Sequence, residues 1–289
     1  MTDASPDIHR TLVSVDTLKE HLFDARWCVV DCRHDLTDHG AGFRAYRAGH
    51  IPGATFAHIE EDLAGEITPA TGRHPLPVRE HLVTIFREWG VNNDTQIVAY
   101  DAQGGSFAGR LWWLARWLGH ERVAVLDGGW QAWLAGSDNW SSLEEPDRPD
   151  GSFTAGPPRV RVIDATGVLA HRGDPATLLV DARAPERYEG RVEPLDPVAG
   201  HIPGAVNRFW QTNLQDGRFK PAETLRAEFD ALLAGRPATQ AIHQCGSGVT
   251  AAHNILAMEI AGLPGSALYA GSWSEWIRDP ARPVATGPA

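Results

Sequence analysis

Chemistry in this 289-residue chain centres on one of its three cysteines. Cys245 sits in Ala241-Ile242-His243-Gln244-Cys245-Gly246-Ser247-Gly248-Val249-Thr250-Ala251-Ala252. This segment reads as a strand ending at Gln244, a tight loop allowed by two glycines, and a helix beginning near Val249. Cys245 then lies at the carboxyl end of a strand and faces a helix N-terminus, where open α/β sheets place their ligands. Successive backbone N–H groups of such a loop, here Gly246, Ser247, Gly248, Val249 and Thr250, point inward as an anion nest. That environment favours thiolate over thiol, and a thiolate is a nucleophile able to attack sulfur.

The other two thiols have no comparable setting. Cys28 and Cys32 are spaced C-x3-C, which is neither a redox C-x-x-C pair nor a zinc knuckle, and no second cysteine pair completes a metal site. They read as small buried hydrophobes beside a strand. An odd number of cysteines in a long chain argues for reduced thiols and against a disulfide framework. No metal and no organic cofactor is expected. The glycine-containing segment from Asp101 to Gly109 has no Walker lysine, so nucleotide binding is not supported.

The elements that must hold Cys245 occur twice. Val29-Val30-Asp31-Cys32-Arg33 returns as Leu179-Val180-Asp181-Ala182-Arg183, and His50-Ile51-Pro52-Gly53-Ala54 as His201-Ile202-Pro203-Gly204-Ala205. Gly128-Gly129-Trp130-Gln131-Ala132-Trp133 returns as Gly271-Ser272-Trp273-Ser274-Glu275-Trp276. Three matches in one order, far apart, indicate a duplicated domain, since a solenoid repeats every ~20 to 50 residues. The expected division is an N-terminal domain over 8–136, a polar Pro/Gly-rich linker over 137–158 and a C-terminal domain over 159–289.

Within each copy, short apolar runs alternate with amphipathic stretches. Cys28 to Asp31, Ile97 to Tyr100 and Val123 to Leu126 read as buried strands, with Leu178 to Asp181, Ala241 to Gln244 and Ala267 to Tyr269 as their partners. Helical spacing runs over Val78 to Trp89, Phe107 to Leu118, Glu223 to Leu233 and Val249 to Ala261, with Gly90, Gly119, Gly235 and Gly262 as stops. The alternation predicts an α/β fold, each domain a mostly parallel sheet flanked by helices on both faces. The tryptophans around 112–117 and after the duplicated glycine turns are expected in the core or between domains.

Composition narrows the partners. A formal net charge of -11 disfavours a phosphate-backbone ligand, so no nucleic acid is expected. The first residues, Met1 to Asp7, lack a basic region followed by an apolar run, and no segment approaches the ~18 apolar residues of a membrane span, so a cytoplasmic protein without a membrane partner is expected.

Both copies resemble rhodanese domains, over roughly Val13 to Trp276, and Cys245 to Ala251 is similar to the signature of the 3-mercaptopyruvate sulfurtransferases. The resemblance implies a cleft between two domains, with only the C-terminal one carrying the reactive cysteine. The N-terminal copy is accordingly expected to be inactive, because Asp101 stands where the second copy has Cys245. A sulfane sulfur would pass from a small anionic donor, mercaptopyruvate or thiosulfate, through a Cys245 persulfide to cyanide, a thiol or a thioredoxin-like acceptor.

Further roles are implied by the same resemblance. Arg187 matches the arginine that binds the donor anion, for which a guanidinium suits because it donates two parallel hydrogen bonds. Arg183 has a duplicate in Arg33 and reads as structural. Many mercaptopyruvate enzymes carry a further arginine where this chain has Leu195 and Asp196, and Arg191 is the candidate to reach the same anion. His50 aligns with a histidine proposed to help proton movement, although His201 duplicates it, and Phe107 matches an apolar residue lining the persulfide pocket. Ser247 offers a hydroxyl for the carbonyl of a keto acid. Two alternatives compete. A cysteine phosphatase of this fold needs an arginine six positions after its cysteine, where this chain has Ala251, and a non-catalytic sulfur carrier would not need Ser247 or Arg187.

Overall fold

The computed structural model describes residues 8–136 and 140–288. Met1 to Asp7, on which the expected absence of a leader rests, and the first three positions of the expected linker lie outside the described residues.

The N-terminal unit is a five-stranded sheet of β1 (Leu12–Val13), β2 (Trp27–Asp31), β3 (Thr55–Phe56), β4 (Gln96–Tyr100) and β5 (Val123–Leu126), in the order β1-β5-β4-β2-β3. The C-terminal unit repeats it with β6 (Arg161–Ile163), β7 (Leu178–Asp181), β8 (Val206–Asn207), β11 (Ala241–Gln244) and β12 (Ala267–Tyr269), in the order β6-β12-β11-β7-β8. Every pairing in both sheets is parallel. The central strands β2, β4, β7 and β11 are buried along their whole length, as apolar runs without alternation require. Between β8 and β11, the antiparallel pair β9 (Leu214–Gln215) and β10 (Arg218–Phe219) turns at Asp216-Gly217. Asp-Gly is a strong hairpin signal, but two-residue strands are too short to show periodicity.

The four helices read from spacing are α3 (Arg79–Glu88), α4 (Ala108–Trp117), α8 (Ala222–Leu233) and α9 (Thr250–Ile260), each within one residue of expectation at either end. Shorter helices complete both faces: α1 (Val15–Glu20), α2 (Ala41–Ala48) and α5 (Gly129–Ala135), then α6 (Ala165–His171), α7 (Pro185–Tyr188) and α10 (Ser272–Trp276).

Each sheet buries its outer face in a cluster of its own, while the inner faces share one continuous core. Helices α4 and α9 form the seam, with Gly109 of α4 packed at van der Waals distance of the His253 backbone. Trp112, Trp133, Trp273 and Trp276 are fully buried, and each indole N–H donates to a backbone carbonyl. The described part of the expected linker is no free tether. Phe153 is buried against Phe86 and His120, and Ser142 pairs with His50 in an isolated bridge.

Three imidazoles are walled into this structure. Burial pushes His243 down to about 3 and His253 to about 4, and burial with the nearby Arg110 and Arg73 charges pushes His74 to about 4. Folded-state values below the usual 6.5 mean that the unfolded chain takes up protons first as pH falls, so stability is full above about 6.5 and declines toward 4. At pH 5 each such histidine costs about 2 kcal/mol. His243→Leu is expected to flatten the decline in thermal stability between pH 7 and pH 5 relative to the parent, and equal slopes for the two proteins would refute this.

Candidate active site

Cys245 follows β11 and is buried, its Sγ accepting the Gly248 N–H at 3.1 Å. Its own backbone is pinned on both sides: the N–H donates to Ser272 Oγ at 3.1 Å and the carbonyl accepts the Trp273 N–H at 3.0 Å. Gly248 has φ +81, and a Cβ there would lie 2.2 Å from the Ala270 carbonyl oxygen, so only glycine fits.

The duplicate loop shows what such a nest holds. Asp101, after β4, is fully buried, and its carboxylate accepts N–H groups from Gln103, Gly105, Phe107 and Ala108 at 2.8 to 2.9 Å. Burial raises its carboxyl above the usual value while the four amides oppose the rise. Phe107 and Ala108 stand at the start of α4 as Val249 and Thr250 do at the start of α9. An aspartate carboxylate oxygen lies two bonds beyond Cβ, the same reach as the outer sulfur of a cysteine persulfide.

A cavity of about 780 Å³ opens over Cys245 between the two units. Gly246, Ser247, Val249, Thr250, Arg187 and Phe107 all line it, as does Leu214 of the hairpin. Gly248 takes part through its N–H group. Two residues expected at the site lie elsewhere. His50 is fully buried and stacked on Tyr46, with its ring nitrogens against the carbonyls of Tyr46 and Glu144. Its duplicate His201 stacks likewise on Tyr188, so this histidine shapes a turn in each domain. Arg191 is exposed and pairs with Glu189, outside the cavity lining. Arg183 and Arg33 repeat one structural arrangement, each bidentate to the aspartate two residues before it and lying over a tryptophan.

The N-terminal unit supplies three groups that spacing did not single out. His74 places Nδ1 2.7 Å from Ser247 Oγ, and its Nε2 faces Glu60 at 3.7 Å. Arg73 forms an ion pair with Asp196 and donates its backbone N–H to Ser274 Oγ. Arg110, fully buried on α4, donates to the carbonyls of Leu63, His74 and Pro75 and to that of Gly248 at 3.2 Å. Burial pushes its guanidinium down to about 10, opposed by the Cys245 charge. It therefore ties the His74 loop to the Cys245 loop. The one sequence signal for these residues was the basic Gly72-Arg73-His74 run shortly before α3, which stands where Gly217-Arg218-Phe219 precedes α8 in the second copy.

Cys28 and Cys32 are fully buried and unpaired. Burial pushes the Cys28 thiol up to about 11, and burial with the nearby carboxylates of Asp101, Asp31 and Asp62 raises the Cys32 thiol well above its usual value.

The family described as Rhodanese-like domain matches residues 14–136 and again 164–279. The chain is 48% identical over 279 residues to the "Probable 3-mercaptopyruvate sulfurtransferase" of Pseudomonas aeruginosa, covering 96% of this chain and 98% of that one. It is 35% identical over 275 residues to the 3-mercaptopyruvate sulfurtransferase of Escherichia coli, covering 91% and 94%, and 35% identical over 289 residues to the thiosulfate sulfurtransferase of Rattus norvegicus, covering 94% and 93%. The crystal structure of the 3-mercaptopyruvate sulfotransferase SseA from Escherichia coli superposes with a TM-score of 0.79 at 33% identity, over 92% of this chain and all of that one. With both halves matched and these relatives spanning nearly its whole length, the chain belongs to the rhodanese-like family and is a two-domain sulfurtransferase.

Proposed function

We propose that this enzyme moves sulfur from 3-mercaptopyruvate to a thiol, cyanide or thioredoxin-like acceptor through a persulfide on Cys245. The observation that carries this reading is the pair of duplicate loops. In one, four amides hold the Asp101 carboxylate, and the other offers the same kind of nest to a sulfur anion on Cys245.

Cys245 thiolate attacks the donor's sulfur, the carbon–sulfur bond breaks, and its electron pair leaves as the enolate of pyruvate. The enolate takes up a proton, which the thiol hydrogen of the donor supplies in balance. Ser247, backed by His74 at 2.7 Å, stands where that proton can be relayed. Burial keeps His74 neutral at physiological pH, so its Nδ1 can take part in a hydrogen bond with the Ser247 hydroxyl and orient it. The acceptor thiolate or cyanide then takes the outer sulfur and returns Cys245 as thiolate. Three unpaired thiols suit a reducing compartment such as the cytoplasm. Among the described residues no helix is long and apolar enough to cross a membrane.

The donor preference rests on charge and on the hydroxyl. Gly246 and Ser247 add no cation beside the nucleophile, while the arginines at the cavity are offset by buried acids. Arg73, Arg183 and Arg187 pair with Asp181, Glu193 and Asp196. A doubly charged donor gains little from that balance, whereas a keto acid gains the Ser247 contact. Catalytic efficiency measured side by side is expected to favour 3-mercaptopyruvate over thiosulfate. Higher efficiency with thiosulfate would overturn the preference and leave the Cys245 persulfide in place.

A further inference from the structure

The position at which many mercaptopyruvate enzymes carry a second arginine is acidic here, and the charge arrangement around it is unusual. Asp196 and Glu193 have side chains only 3% exposed, against 27% for Arg73 and 18% for Arg187. The acids therefore lie behind the guanidiniums, and the guanidiniums face the cavity.

Each arginine uses part of its fork on those acids. Arg73 gives Nη1 to Asp196, and Arg187 gives Nε and Nη2 to Glu193 and Nη2 also to Asp196. Among the described residues, Arg73 Nη2 and Arg187 Nη1 donate to no protein acceptor. Both converge on one spot: a Cβ added to Gly246 would lie 3.0 Å from Arg73 Nη2 and 3.5 Å from Arg187 Nη1. That spot adjoins Cys245. A guanidinium held by a carboxylate on one edge keeps a fixed direction for donation from the other, so the acids orient the pair while lowering its net charge.

We propose that Arg73 of the N-terminal domain and Arg187 of the C-terminal domain form a two-armed clamp for the donor's carboxylate over Gly246, with Asp196 as the residue that positions both arms. The clamp rests on the sulfurtransferase reading for its natural ligand. It gives the domain without a reactive cysteine a direct part in donor recognition, and it accounts for a glycine at 246, since any side chain would fill the carboxylate's place. Arg73 supplies from across the domain boundary the cation absent at 195 and 196.

The test needs a readout that does not depend on sulfur transfer. Iodoacetate and iodoacetamide alkylate a thiolate by the same displacement of iodide, and only the first carries a carboxylate. Rates of Cys245 alkylation, followed by intact mass and peptide mapping, therefore report carboxylate recruitment. The parent protein is expected to react faster with iodoacetate relative to free cysteine as reference. Arg73→Met is expected to lower the iodoacetate rate about tenfold, the effect of losing one charge-assisted hydrogen bond, with the iodoacetamide rate unchanged and a matching rise in KM for mercaptopyruvate. Arg73→Lys should fail to restore the iodoacetate rate, because one ammonium that pairs with Asp196 has no fixed second donor. Asp196→Asn leaves one acceptor oxygen for two guanidiniums and turns an amide NH2 toward the other, so it should lower the iodoacetate preference with the iodoacetamide rate unchanged. An unaltered rate ratio in Arg73→Met overturns the clamp, as does full rescue by lysine, which would make Arg73 a mere tether between domains. A preference unchanged or raised in Asp196→Asn also overturns it, and this variant decides the matter should Arg73→Met fail to fold. If the ratio falls as expected while neither donor loads Cys245, the clamp stands and the proposed function fails.

Discussion

Cys245→Ser is expected to reduce sulfur transfer to the uncatalysed background, a loss on the order of the millionfold seen when a covalent enzyme is stripped of its nucleophile. A serine hydroxyl remains protonated in the same nest, and oxygen forms no stable link to a sulfane sulfur. The fold should survive, because the Cys245 backbone bonds to Ser272 and Trp273 do not involve the side chain. The remaining thiols offer no substitute. Cys28 and Cys32 are fully buried, and their surroundings disfavour thiolate. Turnover with either donor and cyanide measures the loss, and intact mass after donor treatment should show one reducible sulfur on the parent and none on the variant. Full activity of the serine variant, or a labile sulfur mapped to Cys28 or Cys32, would remove Cys245 from the mechanism.

Gly248→Ala should be the most damaging change that leaves every reactive side chain in place. Its left-handed backbone costs an L residue roughly 1–2 kcal/mol, and the added Cβ would meet the Ala270 carbonyl at 2.2 Å. That carbonyl cannot yield without moving the turn that pins Cys245 through Ser272 and Trp273. Displacing the loop takes the Gly248 N–H away from Sγ and the Gly248 carbonyl away from Arg110. Losing one such amide donor typically costs about 10²–10³ in turnover. Gly262→Ala provides the control, since Gly262 ends α9 with φ +70 and has open space around it. Both variants should lose melting temperature, Gly248→Ala more, and only Gly248→Ala should lose turnover in that range. Equal activity in the two would show that the loop amides do not hold the reacting sulfur.

How these residues come together divides sharply between sequence and tertiary structure. Apolar runs without alternation dictated strands buried on both faces, and each of the four main helices ends within a residue of the boundary read from spacing. The proposed nucleophile was legible for the same reason: strand end, glycine loop and helix start are local, and they set the Gly248 N–H on the Cys245 sulfur. Duplication was legible too, and it correctly marked Arg183 as structural through Arg33.

The remainder of the site depended on how two domains dock. His50 drew attention because it aligns with a histidine proposed to help proton movement, yet its repetition as His201 goes with a shared turn held by Tyr46 and Tyr188 in the two copies. Arg191 is near Arg187 in sequence but pairs with Glu189, since α7 ends at Tyr188 and Gly190, at φ +77, turns the chain before Arg191. His74, Arg73 and Arg110 lie more than a hundred residues from Cys245, and no local preference records that distance closing. It closes because α4 and α9 bury a common core at the seam, which brings the loop around His74 over the Cys245 loop. The sequence by itself thus determined Cys245 at a strand end and the glycine loop that turns an amide toward its sulfur. Only the packing of one domain's apolar face on the other decided which cations and which imidazole stand opposite.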